Sequence, residues 1–210
     1  MSFLKDNFII EAKKLGFSHV GFSKIEPLEK ESLRLRQWIQ KGHHGKMDYM
    51  ANHFELRKDP SKLVDGAKSI ICLSFNYHNP VKNQEPGELK IATYALGRDY
   101  HKVLKKKLKH LLIWLKENAH VKNGRYFVDS APILERDWAV KSGLGWQGKN
   151  TLVIHPKAGS YFFLTEIIVD IDLENNPIIK DHCGTCTRCI DACPTQAIAE
   201  EGYILDASRC

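Results

Sequence analysis

The alternation of apolar and polar positions predicts a sequence of helices and strands in the first half of the chain. Apolar residues recur at helical spacing from Phe3 to Leu15, with Ser2 as a possible N-cap and Gly16 as the stop signal. The remaining elements predicted here are a strand over 19–25, a charged amphipathic helix over 28–41, a short helical piece over 46–55 and a strand over 68–77. A polar loop, 79–87, follows.

The second half begins with the clearest helix signal of the sequence, over 100–117. Its apolar stripe consists of leucines: Leu104, Leu108, Leu111, Leu112 and Leu115. The pattern then predicts a strand over 125–128, a helix over 134–142 and a β-hairpin made of 151–155 and 160–169. Helices and strands mix without a regular βαβ rhythm, so the predicted fold class is α+β, or mixed α/β.

Cysteine usage divides the chain into two unequal parts. Five of the six cysteines follow residue 182, and the polar stretch 172–181 is the best boundary candidate. We therefore predict a main domain over 1–175 and a smaller one beginning in 176–210. Cys72 lies within an apolar strand and is interpreted as a small buried core residue.

Composition and charge favour a water-soluble protein. The net charge of +6 would suit a polyanionic partner without requiring one. The N-terminus lacks a secretory signal, and no stretch approaches the roughly 20 apolar residues that span a bilayer. We expect a cytoplasmic location without membrane association.

The C-terminal cysteines have the spacing of an iron–sulfur ligand run. Cys183, Cys186, Cys189 and Cys193 are separated by two, two and three residues, and Pro194 follows. This is the bacterial ferredoxin pattern, in which three thiolates serve one four-iron cluster and the fourth, on a turn that starts a helix, serves its neighbour. Zinc is the alternative, although it usually uses two separated Cys-x-x-Cys pairs.

The predicted ligand set is incomplete. Two four-iron clusters need eight thiolates, and Cys210, the last residue, brings this part of the chain to five. The expectation is therefore a fragment of a longer protein, with a ferredoxin-like domain that continues beyond Cys210.

A longer motif gives the sequence a family resemblance. Val128-Asp-Ser-Ala-Pro-Ile-Leu-Glu-Arg-Asp-Trp-Ala-Val-Lys-Ser-Gly-Leu-Gly-Trp-Gln-Gly-Lys-Asn150 precedes the cysteine run, and Gly97-Arg-Asp-Tyr-His101 precedes the lysine-rich helix. Together they resemble epoxyqueuosine reductases, which use cobalamin and two [4Fe-4S] clusters to finish queuosine in transfer RNA. The resemblance implies a cobalamin-binding domain and reduction of an epoxide on the wobble base.

Asp129 matches the proton donor of that family. An aspartate that follows an apolar strand and precedes small residues can be desolvated enough to stay protonated near neutral pH. The alternative is an aspartate that only caps its own turn, as aspartates often do.

The resemblance also implies a set of cobalamin contacts. Arg57 matches one of them, and a guanidinium suits the amide and phosphate oxygens of the cofactor, although a solvated loop arginine is the alternative. Ala92 stands where some relatives have a cysteine near the cobalt, so a thiol is not expected to be required there. Val153 and Leu164 fall where the family lines its corrin pocket.

Glycines flank the remaining predicted contacts. Lys149 and Asn150 follow Gly148, and this segment would let the backbone approach the macrocycle closely, unless it is an ordinary turn. The base-off signature Asp-x-His-x-x-Gly is missing from the sequence, so a protein histidine is not expected below the cobalt. His101, His110 and His155 are interpreted as surface or core residues.

The partners that the resemblance implies are transfer RNA and an external electron donor, with the protein acting as a monomer. The lysines of the 100–117 helix could meet RNA phosphates, although a lysine-rich face is often only solvated. Three other functions stay open: a reductive dehalogenase-like oxidoreductase, a non-catalytic electron-transfer module and a zinc-stabilised RNA-binding protein.

Overall fold

A four-stranded antiparallel sheet organises the fold. The computed structural model describes residues 2–78 and 91–210, so the predicted loop 79–87 lies outside the described residues. The sheet has the strand order β1-β2-β6-β3. Its strands are β1 (His19–Lys24), β2 (Ser69–Asn76), β3 (Gly124–Phe127) and β6 (Phe162–Val169). A separate pair consists of β4 (Trp146–Gln147) and β5 (Val153–Ile154).

The helices agree with the predicted positions to within a residue or two, except in the 46–55 segment and in the cysteine run, where α6 was not predicted. They are α1 (Ser2–Lys14), α2 (Glu29–Gln40), α3 (Phe54–Lys58), α4 (Tyr100–Asn118), α5 (Glu135–Lys141) and α6 (Arg188–Asp191). The 46–55 segment contains a 3-10 turn, Asp48–Met50, and the start of α3. The mixed α+β class is confirmed.

The sheet separates two hydrophobic cores. Alternate residues of a strand point to opposite faces, so Ile71 and Ile167 contact one core whereas Cys72 and Ile168 contact the other. On the first face, α1 and α4 cover the sheet, and the leucine stripe of α4 is buried as predicted. On the second face α5 covers it, with Trp138 fully buried. Cys72 is buried in this second core, which confirms its interpretation as a core residue.

The predicted hairpin between 151–155 and 160–169 is wrong. β5 pairs with β4, whereas β6 pairs with β2 and β3 in the main sheet. An isolated bridge pairs His155, the last residue of the first predicted arm, with Gly159 of the predicted turn. Sequence proximity favoured a local pairing, but the apolar β6 strand is instead buried between two distant strands.

A glycine sets how closely α5 approaches the sheet. A Cβ on Gly21 of β1 would lie 2.2 Å from the carbonyl oxygen of Ser142, which immediately follows α5. The end of α5 can therefore pack against β1 only because this position has no side chain. The same packing fixes the start of α5, which carries part of the site described below.

The C-terminal segment 176–210 returns to the N-terminal part of the fold. The Asn176 amide donates to the carbonyl of Phe22 at 2.9 Å, and the Ala207 amide donates to the carbonyl of His43 at 2.7 Å. The Trp38 indole donates to the carbonyl of Leu205 at 2.6 Å. Ala197, 2% exposed, is the buried hydrophobic residue of this segment, so most of its order comes from contacts with the rest of the chain.

No helix in residues 2–78 and 91–210 is both long and apolar enough to cross a bilayer.

Candidate active site and cysteine loop

Three of the predicted site residues line one cleft. A cleft of about 170 Å³ opens between the start of α4, the β3–α5 loop, the β5 region and the first residues of β6. Asp129, Val153 and Leu164 all line it. The other lining residues are Tyr100, Glu135, Arg136, Leu152, Ser160, Phe162 and Phe163. The structure thus brings together the predicted acid and two of the predicted apolar contacts.

Asp129 occupies an unusual backbone conformation at the edge of this cleft. Its φ of 56° lies in the left-handed region, which non-glycine residues seldom adopt. Its amide donates a hydrogen bond to Oε1 of Glu135 at 2.8 Å, and its carboxylate accepts one from the hydroxyl of Tyr100. His101 Nε2 lies 3.6 Å from the same carboxylate. Asp129 therefore contacts the side chains of Glu135, Tyr100 and His101, which is more than an aspartate that only caps its own turn would do.

Tyr100 is held rigidly as the first residue of α4. Asp99 caps the helix by accepting the His101 amide at 3.0 Å. The Tyr100 ring stacks on Phe163, with centroids 4.1 Å apart and planes 8° from parallel. Burial and the hydrogen bond to the nearby Asp129 carboxylate raise the pKa of Tyr100. The phenol therefore keeps its proton and presents a donor to Asp129.

Two further carboxyl groups lie behind Asp129. Burial, followed by the charge of Asp129, raises the pKa of Glu135 to about 7. Glu166 of β6 is 0% exposed, and neither of its carboxyl oxygens has a hydrogen-bond partner among the described residues. Burial raises the pKa of Glu166 well above its ordinary value, with further contributions from Glu135 and Asp129. An unpaired buried carboxyl avoids a large desolvation cost by staying protonated.

The predicted desolvation of Asp129 is wrong for this structure. The Asp129 side chain is 58% exposed, because it follows β3 at the open edge of the cleft. Burial instead acts on the next acid along the chain, Glu135, which α5 carries against the sheet. The carboxyl groups whose pKa the environment raises are therefore Glu135 and Glu166.

Ala92 lies near a second cleft on the other side of the Tyr100–Phe163 stack. This cleft, of about 240 Å³, shares Tyr100 and Phe163 with the first. Ala92 is exposed and precedes a 3-10 turn, Thr93–Ala95, whose Thr93 and Tyr94 line the second cleft. The two aromatic rings thus form a wall that both clefts share.

Arg57 does not line the first cleft, and its guanidinium forms hydrogen bonds with backbone carbonyls instead. It lies on α3 and is nearly buried. Its guanidinium donates to the carbonyls of Asn52 and Tyr49, each at 3.1 Å, and burial lowers its pKa. These bonds stabilise the turn before α3, so any ligand contact would use the donors that remain.

Lys149 contacts the cysteine loop. Its ammonium group donates to the carbonyls of Gly184 at 2.8 Å and Cys186 at 3.1 Å, and its own carbonyl accepts the amide of Tyr203 at 2.8 Å. Asn150 has a different role, since its side-chain oxygen accepts the Leu152 amide at 3.1 Å. Asn150 shapes the turn that places Leu152 and Val153 at the first cleft.

The cysteine run forms an open loop around a short helix. All six cysteines of the chain are free thiols. The Cys186 amide bonds the carbonyl of Cys183 at 2.9 Å in a tight turn, and Cys189 lies on α6. Among residues 2–78 and 91–210, no three His, Cys, Asp or Glu side chains converge as the ligands of one metal ion would. A four-iron cubane holds each thiolate on a different iron, so its ligands surround a larger volume.

The surroundings of Cys193 fit a thiolate ligand. The Ala197 amide donates to its sulfur at 3.2 Å. The backbone amides of Ile198 and Ala197 lower the pKa of Cys193 to about 7, and Thr195 contributes further. The predicted helix start after Cys193 is wrong, because α6 comes before this cysteine and a turn follows it. The turn nevertheless supplies the amides that a helix start would have offered.

Sequence reasoning gave no functional role to several residues in or near the first cleft. Tyr100, His101 and Glu135 all stand in the motifs that carried the family resemblance, yet their contacts with Asp129 depend on the fold. Glu166 had a weak signal in the sequence, as an acid within the most apolar stretch, 161–171. A charge within a buried strand is rare enough to indicate a special site.

The fold of the chain is shared by distantly related solved structures. One solved structure that shares it is a reductive dehalogenase, described as suggesting a mechanism for B12-dependent dehalogenation, with a TM-score of 0.50 and 14% identity over 94% of this chain. At that identity the similarity concerns the fold alone.

Much stronger matches point to one family. A family model described as "Epoxyqueuosine reductase QueG, DUF1730" matches residues 57–130. The epoxyqueuosine reductase of Cyclobacterium marinum is 54% identical over 95% of this chain, and the chain spans 64% of that relative's length. Over nearly all of its own length the chain is therefore similar to epoxyqueuosine reductases.

Solved structures of the same family agree closely with the fold. An epoxyqueuosine reductase in complex with an epoxyqueuosine-modified tRNA-Tyr stem loop has a TM-score of 0.89 and 31% identity, over 99% of this chain and 56% of its own. The enzyme from Bacillus subtilis matches with a TM-score of 0.84 and 29% identity, over 99% of this chain and 55% of its own. In that Bacillus structure a catalytic aspartate loop is swung out of the active site.

Proposed function

We propose that the protein reduces epoxyqueuosine to queuosine at the wobble position of transfer RNA. In this proposal a corrin cofactor binds at the adjoining clefts, two four-iron clusters relay electrons, and Asp129 is the proton donor. The observation that carries it is the position of Asp129 in a cleft that Val153 and Leu164 also line, in a chain that is similar to this family. The proposal includes the electron donor and the monomeric state that the sequence implied.

The residues present fit the proposed cofactors. Aromatic and aliphatic side chains dominate the shared wall of the two clefts, which suits a flat macrocycle. Four cysteines with ferredoxin spacing, Cys183, Cys186, Cys189 and Cys193, provide thiolates, and Cys210 is the fifth candidate. When bound, the reduced cobalt of the corrin supplies electron pairs that the clusters replenish one electron at a time.

The side chains around Asp129 support its role as an acid. The Tyr100 hydroxyl and the Glu135 carboxylate orient Asp129 from opposite sides, one at its carboxylate and the other at its amide. A fixed carboxyl at the cleft edge can pass its proton to an epoxide oxygen as the ring opens. The catalytic aspartate loop of the Bacillus relative is consistent with a proton donor at this place.

The substrate proposal rests on the relative that was solved with a tRNA stem loop. In this chain one exposed lysine of α4 lies beside the first cleft: Lys105 Nζ is 3.5 Å from the hydroxyl of Ser130, the neighbour of Asp129. Lys107 differs from it, because it donates to the carbonyl of Leu15 at 2.6 Å and lies over the Phe75 ring. The proposed phosphate contacts are therefore the other lysines of α4.

Turnover of tRNA tests the function. Full-length protein, reconstituted anaerobically with iron, sulfide and cobalamin, should convert epoxyqueuosine in tRNA to queuosine, as measured by nucleoside mass spectrometry. Asp129→Asn should lower the rate about 10²- to 10⁴-fold, because it removes the proposed proton donor. It should leave the absorption spectrum of bound cobalamin unchanged.

Asp65→Asn is the matched control, since Asp65 is exposed and distant in sequence from the proposed machinery. Wild-type turnover in Asp129→Asn would remove Asp129 from the mechanism. An unchanged cobalamin spectrum on mixing with wild-type protein would favour the electron-transfer module, and zinc without iron would favour the RNA-binding alternative.

A further inference from the structure

The proton balance of the proposed reaction requires more than one acid. This inference rests on the proposed function. Conversion of an epoxide to an alkene breaks both carbon–oxygen bonds, and the oxygen leaves as water. The reaction consumes two electrons, which a reduced corrinoid supplies, and two protons. One proton is assigned to Asp129, so the second needs a source that is close by while RNA covers the cleft.

Glu135 is placed to be that source. It lines the same cleft as Asp129, and its Oε1 accepts the Asp129 amide at 2.8 Å. It is the first residue of α5, a helix that packs on the sheet through the buried Trp138 and Ala139. Among the described residues it has no ion pair, because the guanidinium of neighbouring Arg136 donates to Thr151 instead, at 2.9 and 3.2 Å.

The groups that face Glu135 from each packed element favour its protonated form. Asp129 of the β3–α5 loop and Glu166 of β6 are acids, and Tyr100 of α4 and Cys72 of β2 are neutral at physiological pH. The hydrogen bond from the Asp129 amide and the charge of Arg136 lower the pKa of Glu135 only in part. Burial and the Asp129 charge outweigh them and raise the pKa of Glu135 to about 7. Ionisation of Glu135 in turn raises the pKa of Glu166 and Cys72.

We propose that Glu135 is the second acid of the site, which keeps a proton beside Asp129 and gives it up as the epoxide oxygen leaves as water. The O–H bond of the Glu135 carboxyl breaks and an O–H bond of the product water, or of Asp129 once it has donated its own proton, forms. Solvent returns the proton to Glu135 when the RNA departs.

Two substitutions separate proton storage from positioning. Glu135→Gln keeps an oxygen that can accept the Asp129 amide but cannot hold a transferable proton, whereas Glu135→Ala removes both functions. Turnover of Glu135→Gln at pH 6 should fall about 10²-fold, and that of Glu135→Ala at least as far. Glu117→Gln, which changes an exposed glutamate of α4, is the control for loss of one carboxylate.

The pH profile provides a readout that a positioning role would not change. Above pH 7 the wild type loses the stored proton, so the ratio of wild-type to Glu135→Gln turnover should decline toward one, by up to tenfold per pH unit. Asp129 is present in both proteins, so its effect on the pH dependence of turnover cancels in this ratio. Wild-type turnover in Glu135→Gln, or a ratio that is constant from pH 6 to 9, would overturn the proposal.

A measurement without catalysis distinguishes this inference from the proposed function. The carboxyl carbon of Glu135, assigned by its disappearance in Glu135→Gln, should titrate in the NMR spectrum of the 210-residue chain with a midpoint of about 7. An ordinary midpoint near 4.5 would overturn the inference even if the tRNA is reduced. A midpoint of about 7 in a protein that leaves epoxyqueuosine intact would count against the proposed function instead.

Discussion

Burial separates the three carboxyl groups around the first cleft. Asp129 is largely exposed, Glu135 is covered by its own helix packing, and Glu166 is completely enclosed between β2 and β3. Burial raises the pKa of Glu135 and Glu166, so these two carboxyl groups can hold protons at a higher pH than ordinary glutamates do.

Glu166 should make the stability of the fold depend on pH. Its pKa in the folded chain is raised, so its contribution to stability is complete below the ordinary pKa of 4.5 and is lost as pH rises toward the folded value. Glu166→Gln does not titrate. Relative to wild type, its melting temperature should rise with pH above 4.5, by at most about 2–4 °C per unit. Thermal unfolding followed by circular dichroism from pH 4 to 8 measures this.

Glu117→Gln, which changes an exposed glutamate, is the control for Glu166→Gln. The difference between its melting temperature and that of the wild type should stay constant across the same pH range. If the difference in melting temperature between Glu166→Gln and the wild type also stayed constant with pH, Glu166 would be ionised in the folded chain.

Sequence reasoning could reach some individual residues and not others. The apolar surroundings of Cys72 were visible along the strand, and its burial is confirmed. The exposure of Asp129 was not visible, because it depends on where the edge of a cleft falls. The contact between Glu135 and the Asp129 amide depends on one backbone angle at Asp129, which residue types do not encode.

Elements with strong local patterns were the most predictable. The five leucines of α4 define both the helix and its buried face, because a period of 3.6 residues needs no information from elsewhere in the chain. The pairing of β5 and β6 failed for the opposite reason. Strand partners are decided by contacts across the whole sequence, and β6 pairs with strands that start about 90 and 40 residues earlier.

The lysine face of α4 leads to a prediction about RNA affinity. Lys102 and Lys109 are exposed on α4, which starts at the cleft. If they contact phosphates, Lys102→Gln combined with Lys109→Gln should weaken binding of a tRNA anticodon stem loop. The slope of log affinity against log salt should become shallower by up to about 2, since each lost phosphate contact releases fewer counterions. Fluorescence anisotropy at several salt concentrations measures both effects.

Lys30→Gln combined with Lys41→Gln is the charge-matched control, because both lysines are exposed around α2. Equal salt slopes for the two double variants would show that the effect reflects net charge rather than the α4 face.

At the scale of the whole molecule, the cysteine loop is ordered by the rest of the chain. Lys149 bonds two of its carbonyls, and the Trp146 and His182 rings are 4.9 Å apart. The composition of the sequence changes around residue 175. That this point is a boundary between two domains stays a prediction. The contacts of Trp38 and His43 with the C-terminal segment were invisible in the sequence, because they join residues about 165 positions apart.

Loss of the Lys149 ammonium should loosen the cysteine loop. In reconstituted full-length protein, Lys149→Met should lose iron to a chelator about fivefold faster, because hydrogen bonds worth roughly 1 kcal/mol at a partly exposed site disappear. The decay of the visible cluster absorbance gives the rate. Lys157→Met, at an exposed position in the following turn, should match wild type, and equal rates in both variants would dismiss Lys149 as an anchor.

The segment 149–153 connects two distant parts of the molecule. At one end Lys149 donates hydrogen bonds to carbonyls of the cysteine loop, and at the other end Val153 lines the first cleft. These five consecutive residues therefore join the cysteine loop to the cleft, and the Asn150 side chain stabilises the turn between them. An insertion of one residue in this segment should alter the position of the cysteine loop relative to the cleft wall.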